Sequence, residues 1–138
     1  MSAELVKQVF VGKSFQKAEE VYHFLAEQID ASISQHLKQK LFLREKLANI
    51  QIDKQTVLPH LESSELRQSQ LLILRLAEPI EDWSETIKNI RLVICLALKT
   101  NDERAVKDEI RHFMTNLADD AYVDKLLTDS KTTIEKNL

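Results

Sequence analysis

Leu92-Val93-Ile94-Cys95-Leu96-Ala97-Leu98 is the longest apolar run in the chain, and the rest of the architecture is organised around it. A helix needs about 20 apolar residues to span a bilayer, so this run is far too short to do so. Extended from Ile90 to Lys99, it predicts a strand buried on both faces, at the centre of a sheet covered by helices on each side. Cys95 lies inside it and is the only cysteine, so no internal disulfide can form and a buried structural thiol is expected. No Cys/His cluster at ligand spacing accompanies it, and no metal is expected.

Upstream, Gln70 to Ala77 is a nearly continuous apolar run interrupted by Arg75, and it reads as a second strand. Pro79 is expected to stop it, leaving Pro79-Ile80-Glu81-Asp82-Trp83 as a loop. Gln55 to Leu58 predicts a short strand, and Asn49 to Lys54 is turn-like. Leu5 to Val11 predicts a first strand ending at Gly12. Ser14 can cap a helix with Phe15, Ala18, Tyr22, Leu25 and Ile29 on one face. Ser32-Ile33-Ser34-Gln35 matches a capping box for a second helix through about Lys46, with Ile33, Leu37 and Leu41 inward.

Beyond the central run, Thr100 or Asn101 is expected to cap a helix with Asp102 and Glu103 in its first turn. Ala105, Ile110, Phe113 and Leu117 would form its inner face. Asp119 or Asp120 opens a short helix with Val123, Leu126 and Leu127, and Ser130 caps a last one. The order β-α-α-β-β-β-α-α-α, without repeat or linker, predicts one α/β domain over 1–138, a mixed sheet flanked by helices on both faces.

Composition narrows the function. A chain of 138 residues with 43% hydrophobic content can bury one real core. Nineteen basic and 22 acidic residues give a net charge of -3, and the pI is near 5.8. That balance argues against nucleic acid as a partner and suits contact through a mildly acidic surface. Met1-Ser2-Ala3-Glu4 lacks a basic-then-apolar signal pattern, so a cytoplasmic protein without direct membrane insertion is expected. A single glycine, Gly12, excludes the Gly-rich loops that cradle nucleotide phosphates. Any phosphate must be handled by side chains, with no organic cofactor.

Thr56-Val57-Leu58-Pro59-His60 carries the chemistry. Imidazole is nucleophilic and half-ionised near neutral pH. Pro59 fixes its own φ and biases Leu58 toward an extended backbone, so His60 emerges from a stiff stretch. Sixteen residues upstream, Arg44 opens Arg44-Glu45-Lys46-Leu47 near the end of the second predicted helix. Its guanidinium binds phosphate oxygens in a planar fork. His23, His36 and His112 read as ordinary helix positions, and Glu62 and Glu65 as solvated carboxylates. Ser63 and Ser64 read as caps of a short helix after His60, and Trp83 as a lid over the core edge.

The ordered set Arg44-Glu45-Lys46-Leu47, Val57-Leu58-Pro59-His60, Pro79-Ile80 ahead of Trp83, Leu92 to Ala97, and Leu117-Ala118-Asp119-Asp120 before Val123 to Leu127 covers nearly the whole chain. It resembles the enzyme IIA component of the bacterial sugar phosphotransferase system, fructose/mannitol type. The resemblance implies that His60 accepts a phosphoryl group from the phosphohistidine of HPr and passes it to a cysteine of an enzyme IIB component. It implies that Arg44 stabilises the phosphate. Two positions depart from the family pattern. Leu61 stands where a glycine usually follows the acceptor, and a side chain there could crowd a partner's active site. Val106 stands where mannitol-type members have a second histidine, and His112 lies on another side of that helix. These departures leave open an alternative role, a regulatory IIA-like domain whose phosphorylation gates partner binding.

Overall fold

The computed structural model of the chain describes residues 4–138. Strand β1 (Val6–Lys13) leads to helix α1 (Ala18–Asp30), a single 3-10 turn (Ala31–Ile33) and helix α2 (Ser34–Leu47). Three short strands follow, β2 (Gln51–Asp53), β3 (Thr56–Val57) and β4 (His60–Ser63), then the long pair β5 (Gln70–Asp82) and β6 (Lys88–Lys99). Helices α3 (Arg104–Asn116), α4 (Asp120–Thr128) and α5 (Lys131–Asn137) end the chain. The strand order is β1-β5-β6-β3-β2, with β4 also pairing with β6. Strand β5 is antiparallel to β6, while β1 runs parallel to β5, and β3 and β4 run parallel to β6. The expected mixed sheet with β6 at its centre is what forms.

Alternation along β5 and β6 explains why helices cover both faces. Leu72, Leu74, Leu76, Val93, Cys95 and Ala97 pack with Tyr22, Leu25, Leu37 and Leu41 of α1 and α2. Leu71, Ile73, Leu92, Ile94 and Leu96 face the other way, onto Val106, Phe113, Val123, Leu126 and Ile134 of the last three helices. A strand apolar at successive positions has no solvent face, and each fully buried Leu or Ile contributes about 1.5–3 kcal/mol. Cys95 is wholly buried, which pushes its thiol up to about 12 and leaves it unreactive.

Several boundaries differ from the sequence reading, each for a local reason. Pro79 does not stop β5. The pairing passes from Arg75↔Leu92 to Ile80↔Ile90, so Leu76 to Pro79 bulge out of register. A bulge needs no ladder donor, and proline has none to give. Helix α1 begins at Ala18, not after Ser14, because Glu20 reaches back to the amides of Gln16 and Lys17 at 2.9 and 3.1 Å. Phe15 stays outside the helix and tilts against Phe24. Asp30 caps the 3-10 turn through Ser32 N at 3.0 Å, so α2 starts at Ser34 without the expected box. Thr100 to Glu103 precede α3 instead of opening it, and Ala105 is exposed while Val106 is buried. Asp119 and Ser130 cap α4 and α5 as expected, through Ala121 N and Thr133 N. Residues 51–53, read as a turn, form β2 against β3.

Candidate active site

Strands β3 and β4 form one parallel ladder on β6, broken at Leu58-Pro59. Pro59 cannot donate, but its carbonyl accepts Leu96 N at 3.1 Å, which keeps the strand against β6 across the break. His60 therefore opens β4 opposite Leu96. No helix follows it. Ser63 is buried in the strand, and its hydroxyl accepts the amide of Glu65 at 3.1 Å, so the serines turn the chain without capping a helix.

Helix α2 packs Leu37 and Leu41 into the core and presents Arg44 toward β4. Arg44 Nε donates to His60 Nε2 at 2.9 Å. Guanidinium nitrogens only donate, so Nε2 must carry the lone pair and the ring proton must sit on Nδ1. Nδ1 lies 3.2 Å from Leu58 O, an acceptor, which fixes the same tautomer. The ring thus turns its basic nitrogen toward the arginine and anchors its other nitrogen to the backbone two residues back. Lys40, one turn before Arg44, donates from Nζ to Glu62 O at 3.3 Å.

Glu45 has a role that the sequence did not show. Tyr22 Oη donates to its Oε1, and Trp83 Nε1 donates to the same oxygen at 3.0 Å. Tyr22 stands edge-on to both Phe42 and Trp83. Burial, with the Glu45 carboxylate beside it, raises the Tyr22 phenol well above its ordinary value, so it stays a neutral donor. These bonds fix the last turn of α2 and hence the direction of Arg44. A buried tryptophan needs an acceptor for its N–H, and that was the available signal. Trp83 is 4% exposed and anchored, more than a lid.

The other residues named from sequence stand as follows. His23 and His36 are exposed, near Glu27 and Glu65 at 3.9 and 3.6 Å, and His112 is exposed on α3. Glu62 and Glu65 are exposed. Leu61 points the opposite way from His60 and is 4% exposed among the α1 and α2 side chains, so the expectation that it crowds an approaching partner is overturned. Val106 is 2% exposed in the cluster that holds Leu58 and Leu96. Among the described residues, no group of three or more His, Cys, Asp or Glu could hold a metal ion, and no helix is long and apolar enough to cross a membrane.

Residues 5–136 match the family model described as phosphoenolpyruvate-dependent sugar phosphotransferase system, EIIA 2. The multiphosphoryl transfer protein of Escherichia coli O157:H7 is 28% identical over 101 residues, which cover 70% of this chain and 12% of that protein. The chain therefore spans only a small part of the curated relatives it matches. The crystal structure of IIA mannitol from Escherichia coli superposes with a TM-score of 0.69 at 21% identity, covering 93% of each chain. Nitrogen regulatory protein IIA-Ntr from Neisseria meningitidis gives 0.68 at 16% identity, covering 97% of this chain and 91% of that one. A complex of the Escherichia coli mannitol enzyme IIA with phosphorylated enzyme IIB gives 0.62 at 20% identity, over 88% of this chain and 86% of that one. At these identities the likeness carries the fold.

Proposed function

The chain belongs to the EIIA 2 family of the phosphoenolpyruvate-dependent sugar phosphotransferase system, and from that premise we propose that it is a cytoplasmic phosphocarrier with a phosphohistidine intermediate at His60. The donor is the phosphohistidine of HPr, and the acceptor is a cysteine of an enzyme IIB component, as phosphorylated IIB accompanies the mannitol enzyme IIA in its complex.

The Nε2 lone pair of His60 attacks phosphorus, the phosphorus–nitrogen bond of the donor breaks, and its electron pair returns to the donor imidazole. Nδ1 keeps its proton and donates it to the Leu58 carbonyl, which stabilises the positive ring that results. Arg44 turns its fork from the lone pair to the phosphoryl oxygens, a short movement for an exposed side chain. In the second transfer, a thiolate attacks phosphorus and the bond to His60 Nε2 breaks. Positioning and charge stabilisation supply most of the catalysis in such exchanges. The observation that carries this reading is the 2.9 Å bond from Arg44 Nε to His60 Nε2.

Incubation with phosphoenolpyruvate, enzyme I and HPr should label the protein with an acid-labile, base-stable phosphate. His60→Ala should abolish the label, and Arg44→Ala should slow its appearance. An unlabelled wild type, or undiminished label on His60→Ala, would overturn the proposal. Val106, an aliphatic residue that can donate no hydrogen bond to phosphate, favours a second reading as a phosphorylation-gated regulator. Failure of labelled protein to pass phosphate to any enzyme IIB would select that role.

A further inference from the structure

We propose that Lys40 is a second phosphate-binding residue of the His60 site, a reading that rests on the phosphocarrier role above. A phosphoryl group brings about two negative charges. Arg44 offers one positive charge to His60 Nε2. Lys40 and Arg44 lie one turn apart on α2, so their side chains leave one face of the helix as neighbours.

Both reach the same strand. The carbonyls of Pro59 and Ser63 turn toward β6, where they accept Leu96 N and Thr100 N. Carbonyls alternate along a strand, so that of Glu62 turns to the free edge of β4, where Lys40 Nζ meets it at 3.3 Å. Glu62 is two residues beyond His60, roughly 7 Å along the strand, within the sweep of a lysine stem. At 3.3 Å the bond to Glu62 O is longer than the usual 2.9–3.0 Å, so the ammonium is held weakly and can exchange it for a phosphoryl oxygen. The Glu62 carboxylate shares the outward face of β4 with His60 and is exposed, so solvent screens its competition for the ammonium.

The bland role for Lys40 is to cap an edge carbonyl, and the test separates the two. Lys40→Met keeps the stem and loses the charge, while Lys40→Arg keeps the charge. Labelling by phospho-HPr should slow about tenfold in Lys40→Met and recover to within about twofold of wild type in Lys40→Arg. The thermal midpoint of unphosphorylated Lys40→Met should stay at the wild-type value. Equal labelling rates for wild type and Lys40→Met would overturn the proposal, as would slowing that follows a lowered midpoint and is not rescued by arginine. An unlabelled wild type would instead defeat the phosphocarrier reading. In that event inorganic phosphate is the probe: weaker binding in Lys40→Met than in wild type sustains the anion site, and equal binding removes Lys40 from it.

Discussion

Replacing Leu61 by alanine separates two readings of the residue that follows His60. If the side chain stood in a partner's path, truncation would speed phosphoryl transfer. In the structure it is 4% exposed, pairs opposite Ala97 of β6, and packs in the core beneath α1 and α2. Truncating a buried leucine removes its transfer free energy and leaves a partly unfilled cavity, together about 3 kcal/mol. With an unfolding entropy of about 2.1 cal/mol/K per residue, the 138-residue chain has about 0.29 kcal/mol/K, so the midpoint should fall by roughly 10 °C. Thermal unfolding followed by circular dichroism measures the shift, and labelling by phospho-HPr well below the midpoint measures transfer. The expected pair of results is a large loss of stability and an unchanged labelling rate. A midpoint within about 3 °C of wild type, or faster labelling, would refute the core assignment.

Glu45→Ala should cost about 2–4 kcal/mol in denaturant unfolding, because Tyr22 and Trp83 lose their shared acceptor, and it should slow labelling through Arg44. A cost below about 1 kcal/mol would show that these donors find other partners. Thr56 is fully buried and its hydroxyl has no partner among the described residues, so Thr56→Val should stabilise by about 1 kcal/mol; a lower midpoint contradicts this. Burial alone would raise the Asp102 carboxyl, but the Ser69 hydroxyl, the amides of Glu103 and Ser69, and Lys99 outweigh it and hold the carboxyl below its ordinary value. A carboxyl depressed in the folded state contributes stability above its unfolded pKa and loses it as pH falls through the folded one. Unfolding free energy should therefore drop on the acid side, and Asp102→Asn should flatten that limb; parallel acid limbs would exclude the linkage.

The architecture was legible where one physical signal dominated. Leu92 to Leu98 is apolar at every position, which fits a central strand covered on both faces. Asp119 and Ser130 sit at true caps, since each side chain takes an amide of the turn that follows it. Where two local signals competed, the reading failed. Ser14 is a good cap by type, but Glu20 closes on Gln16 and Lys17 and starts α1 later. Pro79 breaks a ladder only if its amide is needed, and the bulge after Arg75 removes that need. Strand β4 was hidden because His60, Glu62 and Ser63 are polar, although alternate residues Leu61 and Ser63 are buried. At the site, Arg44 and His60 were named from sequence and lie in hydrogen-bond contact. Glu45 and Lys40 were given no role, since their partners, Trp83 and the Glu62 carbonyl, become neighbours only once α2 packs onto the sheet.

On the proposed mechanism phosphate travels on Nε2 of His60, the nitrogen that Arg44 faces, while Nδ1 keeps its proton and donates it to Leu58 O. Nuclear magnetic resonance of the isotope-labelled phosphoprotein reports the bonded nitrogen directly, through its coupling to phosphorus. One phosphorylated ring is expected, that of His60, with coupling to Nε2. Coupling to Nδ1, or phosphate on His23, His36 or His112, would contradict it.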